Sequence, residues 1–126
     1  MTFDGPVTYT GASVTSGTGN VANTSGTGTN VVTVDLAGVT NAQTISLALT
    51  GVNTGIPVGD IVVRMGVLLG DTNGNGSVTS SDISATKAQA GQPMSSANFR
   101  TDLNGNGAVN ATDVSIAKTA SGSALP

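Results

Sequence analysis

Apolar residues fall at every second position across residues 44–50, where Ile45, Leu47 and Leu49 share one face and Thr44, Ser46 and Thr50 the other. That alternation predicts a strand with one side on a core. Residues 31–37 carry Val31, Val32, Val34 and Leu36 and read as the clearest early strand. Residues 60–69 hold Ile61, Val63, Val67 and Leu69 and predict one long strand, or two joined at Gly66. A shorter strand is expected over residues 7–10, after Gly5-Pro6, with a second piece over 12–16. Residues 17–30 have no periodicity and are filled with Gly, Thr, Ser and Asn, so a loop or long hairpin tip is expected. Gly38 to Gln43 reads as a turn and 51–59 as another loop. Residues 1–69 thus predict four to six antiparallel strands, part of a β-sandwich. Sandwiches commonly need about seven strands and about 100 residues, so this one is expected to be small and open, or to lack strands that a longer chain or another copy supplies.

The pattern changes after residue 70. Ser80 is placed as an N-cap, with a helix over 81–90 that stops at Gly91 and Pro93. Ile83, Ala85, Ala88 and Ala90 are its expected apolar contacts. Residues 95–100 predict a short helix with Phe99 anchoring the linker in the core. A second helix is expected over 111–120, apolar at Val114, Ile116 and Ala117 and ended by Gly122. The expected fold class is α+β in two parts: strands over 1–69, then a small helical module over 70–126.

Composition narrows the chemistry. The chain has 126 residues, enough for one domain or two small ones. Phe3, Tyr9 and Phe99 are its only aromatic residues, so stability must come from β-branched packing and bound metal. There is no His, no Cys and no Glu. That removes the ordinary neutral-pH general base, thiol nucleophiles, disulfides and zinc–thiolate sites. Asp4, Asp35 and Asp60 are too scattered to form a hydrolase pair, and no enzyme activity is expected. Net charge is −3, and the four basic residues are spread along the chain, so no nucleic-acid partner is expected. No apolar run approaches the ~18–20 residues that span a bilayer, and no membrane insertion is expected.

The remaining four Asp residues lie in one unit written twice. Residues 71–91 and 102–122 match at ten of twenty-one positions, thirty-one residues apart. Each copy opens with side-chain oxygens at positions 1, 3, 5 and 12 and glycine at position 6. This is the spacing of an EF-hand calcium loop, with Asp in place of Glu at position 12. Calcium takes about 6–8 oxygen ligands, and Gly76 and Gly107 permit the sharp turn that brings alternate residues to one centre. The expected ligands of two calcium ions are Asp71, Asn73, Asn75, Ser77 and Asp82, then Asp102, Asn104, Asn106, Ala108 and Asp113. Ser77 and Ala108 need supply only a backbone carbonyl. Asp82 and Asp113 also suit the positive end of the helix that follows.

These loops, Lys87 and Lys118 at matching helix positions, and the linker between resemble the dockerin family over about residues 70–126. The resemblance implies a calcium-stabilised module that docks on a cohesin-like receptor and attaches its protein to an extracellular scaffold or surface. It implies partner-facing positions at Ser80, Ser81 and Lys87 in one copy and Ala111, Thr112 and Lys118 in the other. Two features depart from the family. Position 5 is Asn in both loops where Asp is common, which predicts weaker calcium binding. The first recognition pair is Ser-Ser in one copy and Ala-Thr in the other, which speaks against equivalent two-way docking.

Two other functions remain open at this level. A subunit could polymerise, its short sandwich completed by a strand, residues 7–14, from the next copy; a contact that does not close gives a filament. The strand half could bind carbohydrate, although sugar platforms usually use aromatic faces. An extracellular or cell-surface location fits calcium loops of moderate charge and a Thr/Ser/Gly-rich surface. Asn23, in Asn23-Thr24-Ser25, is a glycosylation candidate on the expected tip.

Overall fold

A computed structural model describes the whole chain, Met1–Pro126. The architecture is α+β in two parts, antiparallel strands first and helices second. Two compact units divide the chain, Met1–Met65 and Gly66–Pro126.

The strands are β1 (Thr2–Val7), β2 (Gly11–Ser16), β3 (Asn20–Ser25), β4 (Thr29–Val31), β5 (Thr33–Ala37), β6 (Gln43–Asn53) and β7 (Pro57–Val67). They form a pair β1–β4, a three-stranded sheet β2–β6–β7 and a pair β3–β5. Seven strands exceed the four to six expected. The excess lies in residues 17–30, which are not a loop but supply β3 and β4. Their composition carries no strand signal of its own. Pairing supplies it: Asn20 lies opposite Ala37 and Ser25 opposite Thr33, while β4 takes Thr2 and Val7 of β1. Strand preference is largely a matter of such neighbours. Gly26 (φ 93°) turns the chain between β3 and β4 where an added Cβ would collide with the Val31 carbonyl oxygen. The first strand also begins earlier than expected and ends at Val7. Beyond it Thr8 keeps one bridge to Asn53, with N–H···O distances of 3.0 and 2.9 Å.

Val7, Val32, Leu49 and Val52 form the centre of the first unit, with Phe3, Tyr9, Ala12, Val34 and Ile61 packed against it. Each fully buried aliphatic side chain contributes about 1.5–3 kcal/mol. β6 is not the one-faced strand that its alternation suggests. Ile45, Ser46, Leu47, Ala48 and Leu49 are all buried, so both faces of β6 are covered there, and as the middle strand of its sheet it is also paired along both edges.

In the second unit, α1 spans Ser80–Gln89 and α2 spans Ala111–Ala120, with a 3-10 turn at Phe99–Thr101 between them. Thr79, not Ser80, caps α1. Thr79 stands three residues before Asp82, so its side chain accepts from the helix and the Asp82 carboxylate accepts from the Thr79 N–H in return. Asn110 and Asp113 repeat the arrangement at α2. Phe99 is 59% exposed and anchors nothing. The turn points Asn98 and Thr101 inward instead, three residues apart. The Asn98 side chain accepts from the Ser95 N–H (2.8 Å) and donates to the Pro93 carbonyl (3.0 Å). The interior is made of Val78, Val109, Val114, Ala117 and Thr86. Ala88 and Ala90, expected as apolar contacts, are exposed, and Thr86 takes the inward place with its hydroxyl on the Asp82 carbonyl (2.8 Å).

The two repeats are tied crosswise. Gly91, just past α1, donates its N–H to the Val109 carbonyl at the exit of the second loop (2.9 Å). Gly122, just past α2, donates to the Val78 carbonyl at the exit of the first (2.9 Å). Each helix exit is therefore tied to the loop of the opposite repeat. The last residues close on the first loop, with Val78 N–H on Ser123 and Leu125 N–H on Gly76 (both 2.9 Å). No helix is long and apolar enough to cross a membrane.

Candidate metal centres

Both loops wrap around their first aspartate. The Asp71 carboxylate accepts from the N–H groups of Gly74 (2.8 Å), Asn75 (3.1 Å) and Gly76 (2.9 Å). Asp102 accepts from Asn106 (3.2 Å) and Gly107 (2.8 Å). Within that turn the position-3 oxygens of Asn73 and Asn104 accept from position 5, at 3.0 and 3.1 Å. The position-5 oxygens of Asn75 and Asn106 accept from position 7, at 2.9 Å in both. These short-range bonds are the habit of Asx residues in turns. They hold the amide and carboxylate oxygens of positions 1, 3 and 5 on the inner side of each loop. Gly76 (φ 83°) and Gly107 (φ 85°) carry the left-handed backbone that this winding needs. The carbonyls of Ser77 and Ala108 accept no hydrogen bond within the chain.

The position-12 carboxylates close the loops from the helix side. Asp82 accepts from the N–H groups of Thr72 (3.1 Å), Asn73 (3.2 Å) and Thr79 (2.9 Å). Asp113 accepts from Leu103 (2.9 Å), Asn104 (3.4 Å) and Asn110 (2.9 Å). Both side chains are fully buried. Burial by itself would push the Asp82 carboxyl up. The N–H groups of Thr79, Asn73 and Thr72 and the Thr79 hydroxyl outweigh it and hold the group below the ordinary carboxylate range. No cationic side chain takes part in that balance. A buried carboxylate held ionised without a basic partner is costly unless a cation supplies the charge.

The donor set is oxygen only, two carboxylates and two amides per loop, which suits a hard cation and not zinc or copper. No three acidic side chains cluster, in keeping with Asn at position 5 of both loops.

The loops are not equal. Asn73 donates to the Ser81 hydroxyl (3.1 Å), which also lies 2.8 Å from the Thr79 hydroxyl. Ser81 is therefore engaged with the first loop, while Thr112, its counterpart, gives its N–H to the cap Asn110 (2.8 Å). Arg100 reaches the Asp71 carbonyl (3.4 Å) and lies against Gly74. It fixes a positive charge beside the first loop and lines a cavity of about 230 Å³ with Leu68, Asp71 and Leu125. No sequence pattern marks Arg100. The caps Thr79 and Asn110 could have been found from their spacing to Asp82 and Asp113. Asn23 is exposed, but it lies within β3 and not on a tip, its amide nitrogen 3.3 Å from the Asp35 carboxylate.

Paired loop–helix units with this winding define an EF-hand-type module. Residues 69–120 match the family model of the dockerin type I domain, so this part of the chain is a dockerin-like module. Dockerin domains are non-catalytic, calcium-binding modules of protein–protein docking that typically bind cohesins. The match does not extend over the first unit. No curated protein and no solved structure shows significant similarity to the chain.

Proposed function

We propose that the chain is a non-catalytic attachment module that binds two calcium ions, one in each loop, and acts outside the cell. Asp71, Asn73, Asn75, the Ser77 carbonyl and Asp82 hold the first ion. Asp102, Asn104, Asn106, the Ala108 carbonyl and Asp113 hold the second. The observation that carries this reading is the pair of fully buried position-12 carboxylates, Asp82 and Asp113, each bonded only to N–H and hydroxyl groups. Calcium supplies the missing positive charge and couples ion binding to folding of the second unit.

The partner is a cohesin-like receptor. Ser80, Ser81, Lys87, Ala111, Thr112 and Lys118 are all exposed, as a docking face requires. Because Ser81 is drawn into the first loop and Thr112 is not, the two faces differ, and one orientation of docking is favoured. Phe3 and Tyr9 pack against the core, which leaves the strand half without an aromatic sugar platform. A second reading, association of copies through the first unit, is favoured by the uncovered edge of β7.

Calorimetric titration of the chelated protein with calcium tests the main reading. Two equivalents bound, with a gain of helical circular dichroism, is the expected result. One equivalent, or unchanged helix in excess chelator, contradicts it.

A further inference from the structure

β7 is an outer strand, with β6 on one side and no strand on the other. Over residues 60–64 its exposed face alternates charged and apolar residues. Val62 is 57% exposed, and Asp60 and Arg64, at alternate positions on either side of it, are exposed as well. The Asp60 carboxylate is held in place by the Gly51 N–H (2.9 Å) and keeps its second oxygen free of the chain. Arg64 has no ion pair within the chain. An open strand edge is a template for another strand, and exposed β-branched residues on it favour pairing.

We propose that β7 pairs with β7 of a second copy, antiparallel and about a two-fold axis through Val62. In that register each Asp60 stands directly opposite Arg64 of the other copy, twice over. Val62 meets its own equivalent on the same face. Ile61 lies opposite Val63 on the inward face, and the two three-stranded sheets become one of six strands. Charges on an edge strand ordinarily deter pairing. Here opposite signs four residues apart deter every arrangement but one. Parallel pairing in register sets Asp60 on Asp60 and Arg64 on Arg64. Antiparallel pairing about Asp60 or Arg64 sets that charge on its own equivalent, and any other centre leaves both charges facing uncharged neighbours. The contact is isologous, so it closes at two copies and does not propagate. A single strand pair buries less than most stable interfaces, so the association is weak. It stands independently of the docking role of the second unit.

Sedimentation of the full chain in calcium, over about 5–500 µM, tests this. A monomer–dimer equilibrium within that range is expected. Arg64→Asp puts like charges opposite each other and weakens the dimer at least tenfold, and the double exchange Asp60→Arg with Arg64→Asp restores it. Circular dichroism checks that each variant folds. The chain has no cysteine, so Val62→Cys gives a disulfide-linked dimer on mild oxidation, whereas Val58→Cys, distant from its own copy in this register, does not. A monomer throughout, a dimer indifferent to Arg64→Asp, or polymers that lengthen with concentration would each overturn the proposal.

Discussion

The two units meet the problem of a chain poor in large side chains in opposite ways. The first gathers its aliphatic residues into one place: Val7, Val32, Ile45, Leu47, Leu49 and Val52 are all within 2% of full burial. The second buries Val78, Val109, Val114 and Ala117 along with two carboxylates and Thr86. An interior of that size, carrying two charges, does not hold itself together by apolar burial. On the proposed function, the contrast separates a unit stabilised by exclusion of water from one that also depends on bound cations. Changes of solution chemistry and changes of core volume should therefore act on different halves.

Chelation should break the symmetry most strongly. With excess EDTA, amide hydrogen exchange of α1 and α2 should approach that of an unfolded segment, while β6 keeps its protection. Equal loss in both halves would mean that the units are not independently stabilised. Next in size, Asp113→Ala removes a position-12 carboxylate and should weaken calcium at its loop by at least about 100-fold. Because Gly91 and Gly122 tie each helix end to the opposite loop, the first loop should lose affinity as well, and calorimetry would register both changes. If the first loop is untouched, the cross-ties carry no coupling.

Leu49→Ala should cost the first unit about 2–5 kcal/mol, read as a lowered melting transition that calcium does not rescue. Calcium affinity should stay at its original value. The smallest effect concerns the difference between the loops. Arg100→Ala removes an exposed positive charge beside the first loop and should tighten calcium there by about 2–5-fold, the range of a surface charge interaction. A competition titration with a calcium chelator dye would show this, and no change would mean that solvent screens the guanidinium.

The distance between bonded partners explains what could be read in advance. Every bond that winds the two loops around Asp71 and Asp102 spans at most five residues. Such turns are local, and a local spacing of Asp, Asn and Gly is enough to specify them. The helices after the loops follow for the same reason. Even here Ser80 and Thr79 are both acceptable caps by residue type, and only the reciprocal bond with Asp82 assigns the cap to Thr79. Hydrophobicity alone places Phe99 in the interior, but the 3-10 turn gives the inward positions to Asn98 and Thr101.

Taken by itself, the sequence determined the loop–helix repeat, the strand character of residues 33–37 and 44–50, and the oxygen-only chemistry of the loops, whereas the strand expected over 31–37 divides at Val32 into the end of β4 and β5. It could do so because spacing and residue type act there over a single turn or strand. Tertiary structure alone decided that Gly/Thr/Asn-rich residues become β3 and β4, that β6 is buried on both sides and that Thr86 faces inward. It alone decided that each repeat closes the other through Gly91 and Gly122. In each case the deciding energy belongs to a partner distant in the chain, and no local pattern records which partner that will be.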